Sequence, residues 1–237
     1  MTQAPPNFSM ATALGCDTGH LVIVDGNTAL HSEVVDPWQH LVEAAKAEGF
    51  DLALASGYRS FDRQRLIWNA KLSGLRPVLD DDGCQLDLSC LSPLERIQRV
   101  MRWSALPGAS RHHWGTDMDV YDKAAVSDDY QLQLTPAEYS GDGPFVPMIE
   151  WLTIYLKDDS APAFFFPYQQ DHGGVAPEPW HMSYRPVAER FQHLWSLSSL
   201  SCLIEQSDLA EKELVLGHLE SLYTRFILRS LNPEYSV

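Results

Sequence analysis

The sequence has little positive charge and few cysteines. Its 17 lysines and arginines stand against 32 aspartates and glutamates, which gives a formal net charge of -15. A chain this acidic is a poor partner for nucleic acid or for an anionic membrane. No two of the four cysteines are spaced as a Cys-x-x-Cys pair. A domain of this size also does not need disulfides. We therefore expect free thiols rather than a disulfide framework.

The sequence also lacks a long apolar run at its start. Residues 1–15 show no basic segment followed by about 7 to 15 apolar residues, so they predict neither a secretory signal nor a membrane span. On this ground we expect a cytoplasmic protein, with export by another route as the alternative. Repeats and low-complexity tracts are absent as well, and 45% of the residues are apolar. One compact domain is the expectation.

Local patterns predict several helices and a few short strands. The β-branched run 20–25, which ends in a turn at Asp25-Gly26-Asn27, predicts a strand or hairpin arm. Asp36-Pro37 predicts a helix start with aspartate as the cap, and the apolar run 52–55 predicts a strand. Further helices are expected from Ser60, from the capping box Ser92-Pro93-Leu94-Glu95, and over 148–156, 189–197 and 209–231. Residues 76–91, with three consecutive aspartates, predict a solvated loop or insertion, with a lid over the site as the alternative.

Two blocks of the sequence hold the side chains of a catalytic zinc site. The first runs from Ser110 to Asp119, and the second is E-P-W-H at Glu178 to His181. A catalytic zinc typically takes three imidazole and carboxylate ligands and leaves a fourth position for water. His112, Asp119 and His181 supply such a set. A zinc hydrolase also needs a carboxylate that is not a ligand and takes a proton from the attacking water, which is the role that Glu178 fits.

The spacing within the first block indicates a loop that runs into a strand. His112 and Asp119 are seven residues apart, which would also place them on one face of a helix, but Gly115 lies between them and the residues after it alternate. On the predicted strand, Asp117 shares a face with Asp119 and is placed to orient a ligand imidazole through its second nitrogen. For His113, both such an orienting role and ordinary polar packing stay open.

The second block predicts an extended segment rather than a helix. Pro177 and Pro179 flank Glu178, remove two backbone donors and favour extended geometry. A short edge strand that carries His181 would accommodate both prolines.

The same residues resemble those of the LAS metallopeptidases, in particular the VanY-like D-alanyl-D-alanine carboxypeptidase branch. That branch has S-x-H-x-x-G-x-x-x-D followed by E-x-x-H, and both patterns are present here. An upstream S-G-Y-R-S is matched by residues 56–60, with Gln64 following at the usual spacing. The resemblance runs from about Asp36 to Tyr184. Asp117 departs from the small apolar residue of many relatives, which leaves fine substrate preference open.

The resemblance implies an α+β fold in which a small antiparallel sheet carries one zinc site per chain and several helices flank it. It also implies a single peptidase domain over 36–237, with a motif-bearing core at 52–184 and residues 1–35 as an extension packed on the domain. The implied reaction removes a C-terminal D-amino acid, D-alanine in the first place, from peptidoglycan stem peptides or their fragments. Arg59 would bind a substrate carboxylate or the growing oxyanion, and Ser110 and Gln64 would hold a terminal carboxylate or a peptide amide.

Two other functions remain open. One is a D-Ala-D-Ala dipeptidase or a peptidoglycan endopeptidase, which would use the same chemistry. The other is a non-catalytic peptidoglycan-binding module stabilised by zinc. The presence of Glu178 argues against the module, because a structural zinc site closes its coordination shell and needs no spare carboxylate.

Overall fold

The computed structural model describes residues 8–81 and 83–231, and two antiparallel sheets organise this part of the chain. Residues 1–7 of the predicted N-terminal extension, together with Asp82 and residues 232–237, lie outside it. The strands are β1 (Leu21–Asp25), β2 (Thr28–His31), β3 (Leu52–Ser56), β4 (Asp117–Asp122), β5 (Phe164–Phe165) and β6 (His181–Tyr184). The helices are α1 (Met10–Ala13), α2 (Val35–Ala47), α3 (Phe61–Leu72), α4 (Pro93–Trp103), α5 (Val146–Tyr155), α6 (Arg185–Leu194), α7 (Leu197–Gln206), α8 (Lys212–Gly217), α9 (Leu219–Leu222) and α10 (Leu228–Leu231). The predicted α+β architecture is confirmed.

The larger sheet has the order β3-β4-β6-β5, and all of its pairs are antiparallel. Its register sets Asp119 of β4 opposite Ser56 of β3 on one side and opposite His181 of β6 on the other. On the opposite face of β4, Met118 and Val120 are completely buried in the hydrophobic core. The sheet therefore gives one face to the core and presents a row of polar side chains on the other.

The prediction of an edge strand for His181 is wrong. Over Ser183 and Tyr184, β6 pairs with β5 on one side, and over residues 181–183 it pairs with β4 on the other. The prolines do not prevent this, because Pro177 and Pro179 precede the first residue of the strand and remove no donor from its ladder.

Cap signals in the sequence located two helix starts correctly and one incorrectly. Ser60 Oγ accepts a hydrogen bond from Arg63 N at 3.1 Å ahead of α3, and the capping box of Ser92 and Glu95 is formed ahead of α4. The predicted aspartate cap of α2 is not formed, because a 3-10 turn at Ser32–Val34 leads directly into a helix that begins at Val35. The proline of that segment then lies in the first helical turn, where a missing N–H costs little.

The N-terminal hairpin supports the two loops that carry sequence motifs. The predicted arm is β1, and it pairs with β2. Ala29 O accepts a hydrogen bond from Tyr58 N, and Gly115 O accepts one from His31 N, both at 2.8 Å. Gly115 has φ +68°, and a Cβ there would lie 2.7 Å from His31 N. A Cβ on Gly57 would likewise lie 2.7 Å from Ala29 O, so the hairpin packs directly on the glycines of both motifs.

Two predicted regions without a motif are a loop, residues 76–91, and the helical end of the chain, residues 209–231. The predicted loop 76–91 contains an isolated bridge between Leu79 and Gln85 and a 3-10 turn at Leu88–Cys90. The predicted helical stretch 209–231 is divided into α8, α9, a π-helical turn at Tyr223–Ile227 and α10. All four cysteines are free, as expected. Among the described residues, no helix is both long enough and apolar enough to cross a membrane.

A buried histidine next to the hairpin generates a prediction about stability. His31 is fully buried, and its Nδ1 accepts a hydrogen bond from Glu33 N at 3.1 Å. Its Nε2 has no hydrogen-bond partner among the described residues. Burial, with His20 and Arg190 nearby, lowers the pKa of His31 from 6.5 to about 4. As the pH falls below 6.5, the unfolded chain therefore takes up a proton that the folded chain does not, and stability is lost.

We expect His31→Asn, which keeps an acceptor for Glu33 N but cannot be protonated, to lose less stability on acidification than the wild type. The difference should be about 1–2 kcal/mol between pH 7 and pH 5. Urea unfolding of both proteins at the two pH values measures it. Equal losses in both proteins would show that His31 does not drive the acid sensitivity.

Candidate metal centre

Three candidate ligands from different parts of the chain converge on one point. His112 lies in a short 3-10 helix, Arg111–Trp114, while Asp119 lies on β4 and His181 opens β6. One ligand atom from each side chain lies within 4.8 Å of the other two. All three residues are buried, with exposed fractions of 6%, 4% and 2%. The structure therefore brings the predicted ligand set together.

Each imidazole has one nitrogen fixed from outside the centre. His112 Nδ1 lies 2.8 Å from Gly57 O, a carbonyl that can only accept, so this nitrogen carries the proton. His181 Nε2 lies 2.9 Å from Asp117 Oδ1. The remaining nitrogens face Asp119, with His112 Nε2 3.5 Å from Oδ2 and His181 Nδ1 3.2 Å from Oδ1. This is the arrangement by which outer hydrogen bonds hold metal-binding imidazoles in place.

One oxygen of the Asp119 carboxylate accepts no hydrogen bond from a described residue. Oδ2 accepts a hydrogen bond from Ser56 Oγ at 2.5 Å. Oδ1 is buried without a hydrogen bond from any described residue, although His181 Nδ1 is close to it. A buried charged oxygen without a partner is costly unless a cation or a donor satisfies it. Two imidazole nitrogens and one carboxylate oxygen form a donor set that suits zinc, so the residues present fit this ion.

Charges around the centre favour a cation. Burial lowers the pKa of His112 to about 3. Burial acts in the same sense on His181, but Asp117, Asp119 and Glu178 outweigh it and raise the pKa of that imidazole well above 6.5. Three carboxylates thus surround one imidazole, and a metal ion would supply the positive charge that they require.

A buried ion pair supports the imidazole of His181. Arg111 Nε donates to Asp117 Oδ1 at 2.7 Å, and both side chains are completely buried. Ser183 Oγ donates to Asp117 Oδ2 at 2.9 Å and accepts from Arg111 Nη2 at 2.7 Å. Arg111 Nη1 donates to Ser230 O at 2.8 Å. Sequence reasoning missed Arg111, although a cation next to the motif histidines was an available partner for a buried Asp117.

Glu178 lies next to the ligands and opens onto a cavity. Its Oε2 is 3.4 Å from His181 Nδ1, and its backbone N donates to Tyr168 O at 2.9 Å. Burial raises the pKa of Glu178, although His181 and Arg59 act in the opposite sense. A carboxylate with a raised pKa beside a metal site is suited to accept and return a proton.

Arg59 is held by two of the residues that the sequence singled out. Its Nη1 donates to Gln64 Oε1 at 2.9 Å, and Gln64 Nε2 donates to Ala105 O at 2.7 Å. His113 Nε2 accepts from Gly108 N at 3.0 Å, so its Nδ1 carries the proton and donates to Arg59 O at 2.6 Å. Gln64 is fully buried and does not line the cavity. The structure thus places Gln64 behind Arg59 and ties His113 to the backbone of the arginine loop.

The cavity at the centre has a volume of about 360 Å³. Arg59, Ser110, Glu178 and all three candidate ligands line it. Sequence reasoning missed several other lining residues, which come from α3, from the loop after it, from the segment between β5 and β6 and from the helical end of the chain: Lys71, Arg76, Pro77, Leu79, Tyr168, Phe226, Ile227 and Ser230. The predicted loop 76–91 therefore contributes part of the cavity wall.

Comparison with known proteins gives a family match and several relatives. Residues 27–187 match the family VanY, D-alanyl-D-alanine carboxypeptidase. The bifunctional D-Ala-D-Ala dipeptidase and D-Ala-D-Ala carboxypeptidase VanXYC of Enterococcus gallinarum is 26% identical over 171 residues, which cover 70% of this chain and 73% of that protein. An uncharacterized protein of Haemophilus influenzae is 45% identical over 80 residues, 34% of this chain and 55% of that protein. A second one is 33% identical over 125 residues, 52% of this chain and 93% of that protein. The structure of VanYB in complex with D-alanine-D-alanine is 20% identical with a TM-score of 0.49, and the match covers 79% of this chain and 89% of that one.

The convergence of three ligands predicts stoichiometric metal binding. We expect the metal-free protein to bind about one zinc ion per chain, with a rise in its thermal midpoint because the metal binds only the folded state. His181→Ala should abolish this binding, since it removes one of three ligands. Calorimetric titration with zinc and elemental analysis measure the stoichiometry of both proteins, and thermal unfolding with and without zinc measures the midpoint.

His172→Ala is the matched control, because His172 is exposed and does not line the cavity at the centre. It should bind zinc as the wild type does. Full zinc retention by His181→Ala would remove that residue from the ligand set.

Proposed function

Because this chain belongs to the VanY D-alanyl-D-alanine carboxypeptidase family, we propose that it is a zinc-dependent carboxypeptidase that removes a C-terminal D-amino acid. D-alanine at the end of a peptidoglycan stem peptide, or of a fragment of one, is the proposed substrate. The observation that carries the proposal is the position of Glu178, a carboxylate beside the three candidate ligands that faces the same cavity.

The names of relatives support a peptidase acting at D-alanine. The enterococcal relative is named both a dipeptidase and a carboxypeptidase for D-Ala-D-Ala. A putative carboxypeptidase of Bacillus subtilis, YodJ, is 31% identical over 91 residues, which cover 38% of this chain and 26% of that protein. The dipeptidase activity in the first name makes hydrolysis of the free dipeptide D-Ala-D-Ala the second candidate function.

The proposed mechanism gives roles to five side chains and the metal. His112, Asp119 and His181 would hold zinc, which when bound polarises the scissile carbonyl and lowers the pKa of water. Glu178 accepts a proton from the attacking water at its carboxylate and then delivers it to the nitrogen of the departing amino acid. The guanidinium of Arg59 donates to the carbonyl oxygen as negative charge develops there.

Neighbouring residues keep these groups in place during the reaction. Gln64 and His113 fix the side chain and the backbone of Arg59, and Asp117 fixes the ring of His181. Such preorganisation lowers the cost of reaching the transition state, because the groups need not reorient as charge develops.

The identity of the product tests the function directly. We expect the zinc-loaded protein to shorten a pentapeptide that ends in D-Ala-D-Ala by a single alanine, as measured by mass spectrometry. Glu178→Gln keeps the shape of the side chain but cannot accept the proton, so turnover should fall by about 10² or more. Its zinc content and thermal midpoint should change little.

Glu150→Gln is the control for this experiment, since Glu150 is an exposed residue of α5 and its substitution should leave turnover intact. Hydrolysis of free D-Ala-D-Ala together with an intact pentapeptide would support the second candidate function instead. Turnover of Glu178→Gln near the wild-type rate would assign the proton transfer to another group.

Arg59→Lys tests the role of the guanidinium. Lysine keeps the charge but loses the planar fork. If Arg59 stabilises the transition state, kcat and kcat/KM should fall together by about 10² to 10³. Steady-state kinetics at several substrate concentrations separate this result from a rise in KM alone, which would place Arg59 at a carboxylate of the bound substrate.

A further inference from the structure

Two basic side chains line the cavity away from the proposed reacting groups. Lys71 lies in the last turn of α3, and Arg76 lies in the loop that follows this helix. Both line the cavity that holds Glu178 and Arg59. Lys71 is partly buried and Arg76 is exposed. We call these two residues the basic wall.

The side chains of the basic wall make no ion pair or hydrogen bond with any other residue in the described part of the chain. Three other basic residues of α3 and α4 do pair with acidic residues: Arg65 with Asp62, Arg96 with Glu211, and Arg102 with Asp81 and Asp171. Lys71 and Arg76 thus bring two cations without an acidic partner among the described residues to the wall of one cavity, where an anion from outside the chain can bind between them.

The charges that line the cavity show the same imbalance. Its acidic lining residues are Asp119 and Glu178, of which the first is a candidate metal ligand and the second the proposed base. Arg111 also lines the cavity but is neutralised by Asp117. Arg59 and the basic wall remain, and a bound metal ion would add further positive charge. A peptide whose only negative charge is its C-terminal carboxylate would balance a small part of this positive charge.

Burial and neighbouring cations outweigh the attraction of Glu178 at the ammonium of Lys71. Burial lowers its pKa to about 8; Glu178 opposes this shift, while Arg59 and Arg76 add to it. A carboxylate bound between the cations would relieve their mutual repulsion.

Helix geometry separates the basic wall from the reacting centre. Arg59 contacts Gln64, and Lys71 lies seven residues further along α3. At about 1.5 Å per residue, this is about 10 Å along the helix axis. A lysine on a helix extends back towards the N-terminus and covers part of that distance. An extended peptide advances about 3.3 Å per residue, so an anion on the basic wall lies at least a residue away from the scissile bond.

We propose that Lys71 and Arg76 form a subsite for a second carboxylate of the peptide substrate, distinct from the C-terminal carboxylate. The proposal rests on the proposed function, because the carboxylate belongs to the peptide that is cleaved. It names the substrate class as a peptide with an acidic group near the scissile bond.

Matched peptides test the subsite. The series consists of acetylated pentapeptides that end in D-Ala-D-Ala and carry one glutamate at the first, second or third position, each paired with a glutamine counterpart. For at least one position, we expect the wild type to prefer the glutamate peptide by roughly tenfold in kcat/KM, the effect of one charged hydrogen bond. In Lys71→Met and in Arg76→Gln, this preference should fall towards one because KM for the glutamate peptide rises.

Lys46→Met is the matched control, since Lys46 occupies the last turn of α2, is exposed and lies outside the cavity. It should keep the wild-type preference. A wild type that shows no preference at any of the three positions would overturn the subsite and leave the proposed function standing. A second result would also overturn the subsite and leave the proposed function standing. This is a Lys71→Met variant that no longer distinguishes a peptide with a C-terminal carboxylate from one with a C-terminal amide, because the basic wall would then bind the C-terminus.

Absence of hydrolysis for every peptide would count against the proposed function, and calorimetry then decides the subsite separately. Zinc-loaded Glu178→Gln protein is titrated with the glutamate and glutamine peptides. Tighter binding of a glutamate peptide, lost on adding Lys71→Met, supports the subsite. Equal binding of both peptides overturns it.

Discussion

Two buried carboxylates on one face of β4 set the requirements that the rest of the site meets. Asp117 and Asp119 are both fully desolvated or nearly so, and a buried charge without a partner costs several kcal/mol. Asp117 is neutralised by Arg111 at 2.7 Å. Asp119 keeps one oxygen without a hydrogen bond among the described residues. His181 lies between them. Asp117 orients its imidazole, while Asp119 offers this oxygen to a cation. One carboxylate of the strand thus positions a ligand and the other is itself a candidate ligand.

Segments outside the motifs are coupled to this pair. The hairpin β1-β2 fits against Gly57 and Gly115 closely enough to exclude a Cβ at either position, and Gly57 O in turn fixes His112. At the other end of the chain, Ser230 O accepts from Arg111. The motif residues therefore depend on the N-terminal hairpin and on the C-terminal segment with Ser230, neither of which carries a sequence motif. The reason is that each buried donor of a charged group needs an acceptor.

Features encoded locally could be predicted from the sequence, and features made by tertiary pairing could not. The convergence of the three candidate ligands, the caps at Ser60 and Ser92 and the hairpin turn depend on spacing within a few residues or on a recognised motif. The interior position of β6 depends on β5, a strand of two residues that carries no periodicity of its own. Gln64 illustrates the same limit. Its polar side chain suggested contact with substrate, but hydrogen bonds with Arg59 and with the backbone of Ala105 hold it away from the cavity.

The proposed separation of catalysis and recognition follows from the rigidity of α3. The helix starts next to Arg59 and carries Lys71 in its last turn. Trp68 Nε1 donates to Ala210 O at 3.1 Å and Asn69 Nδ2 donates to Asp208 O at 2.9 Å, so its second half is hydrogen-bonded to the turn between α7 and α8. These hydrogen bonds oppose sliding of the helix. The separation along the helix axis between the proposed oxyanion donor and Lys71 therefore follows from the number of residues between them, and we expect a substrate to match it with its own spacing between scissile bond and acidic group.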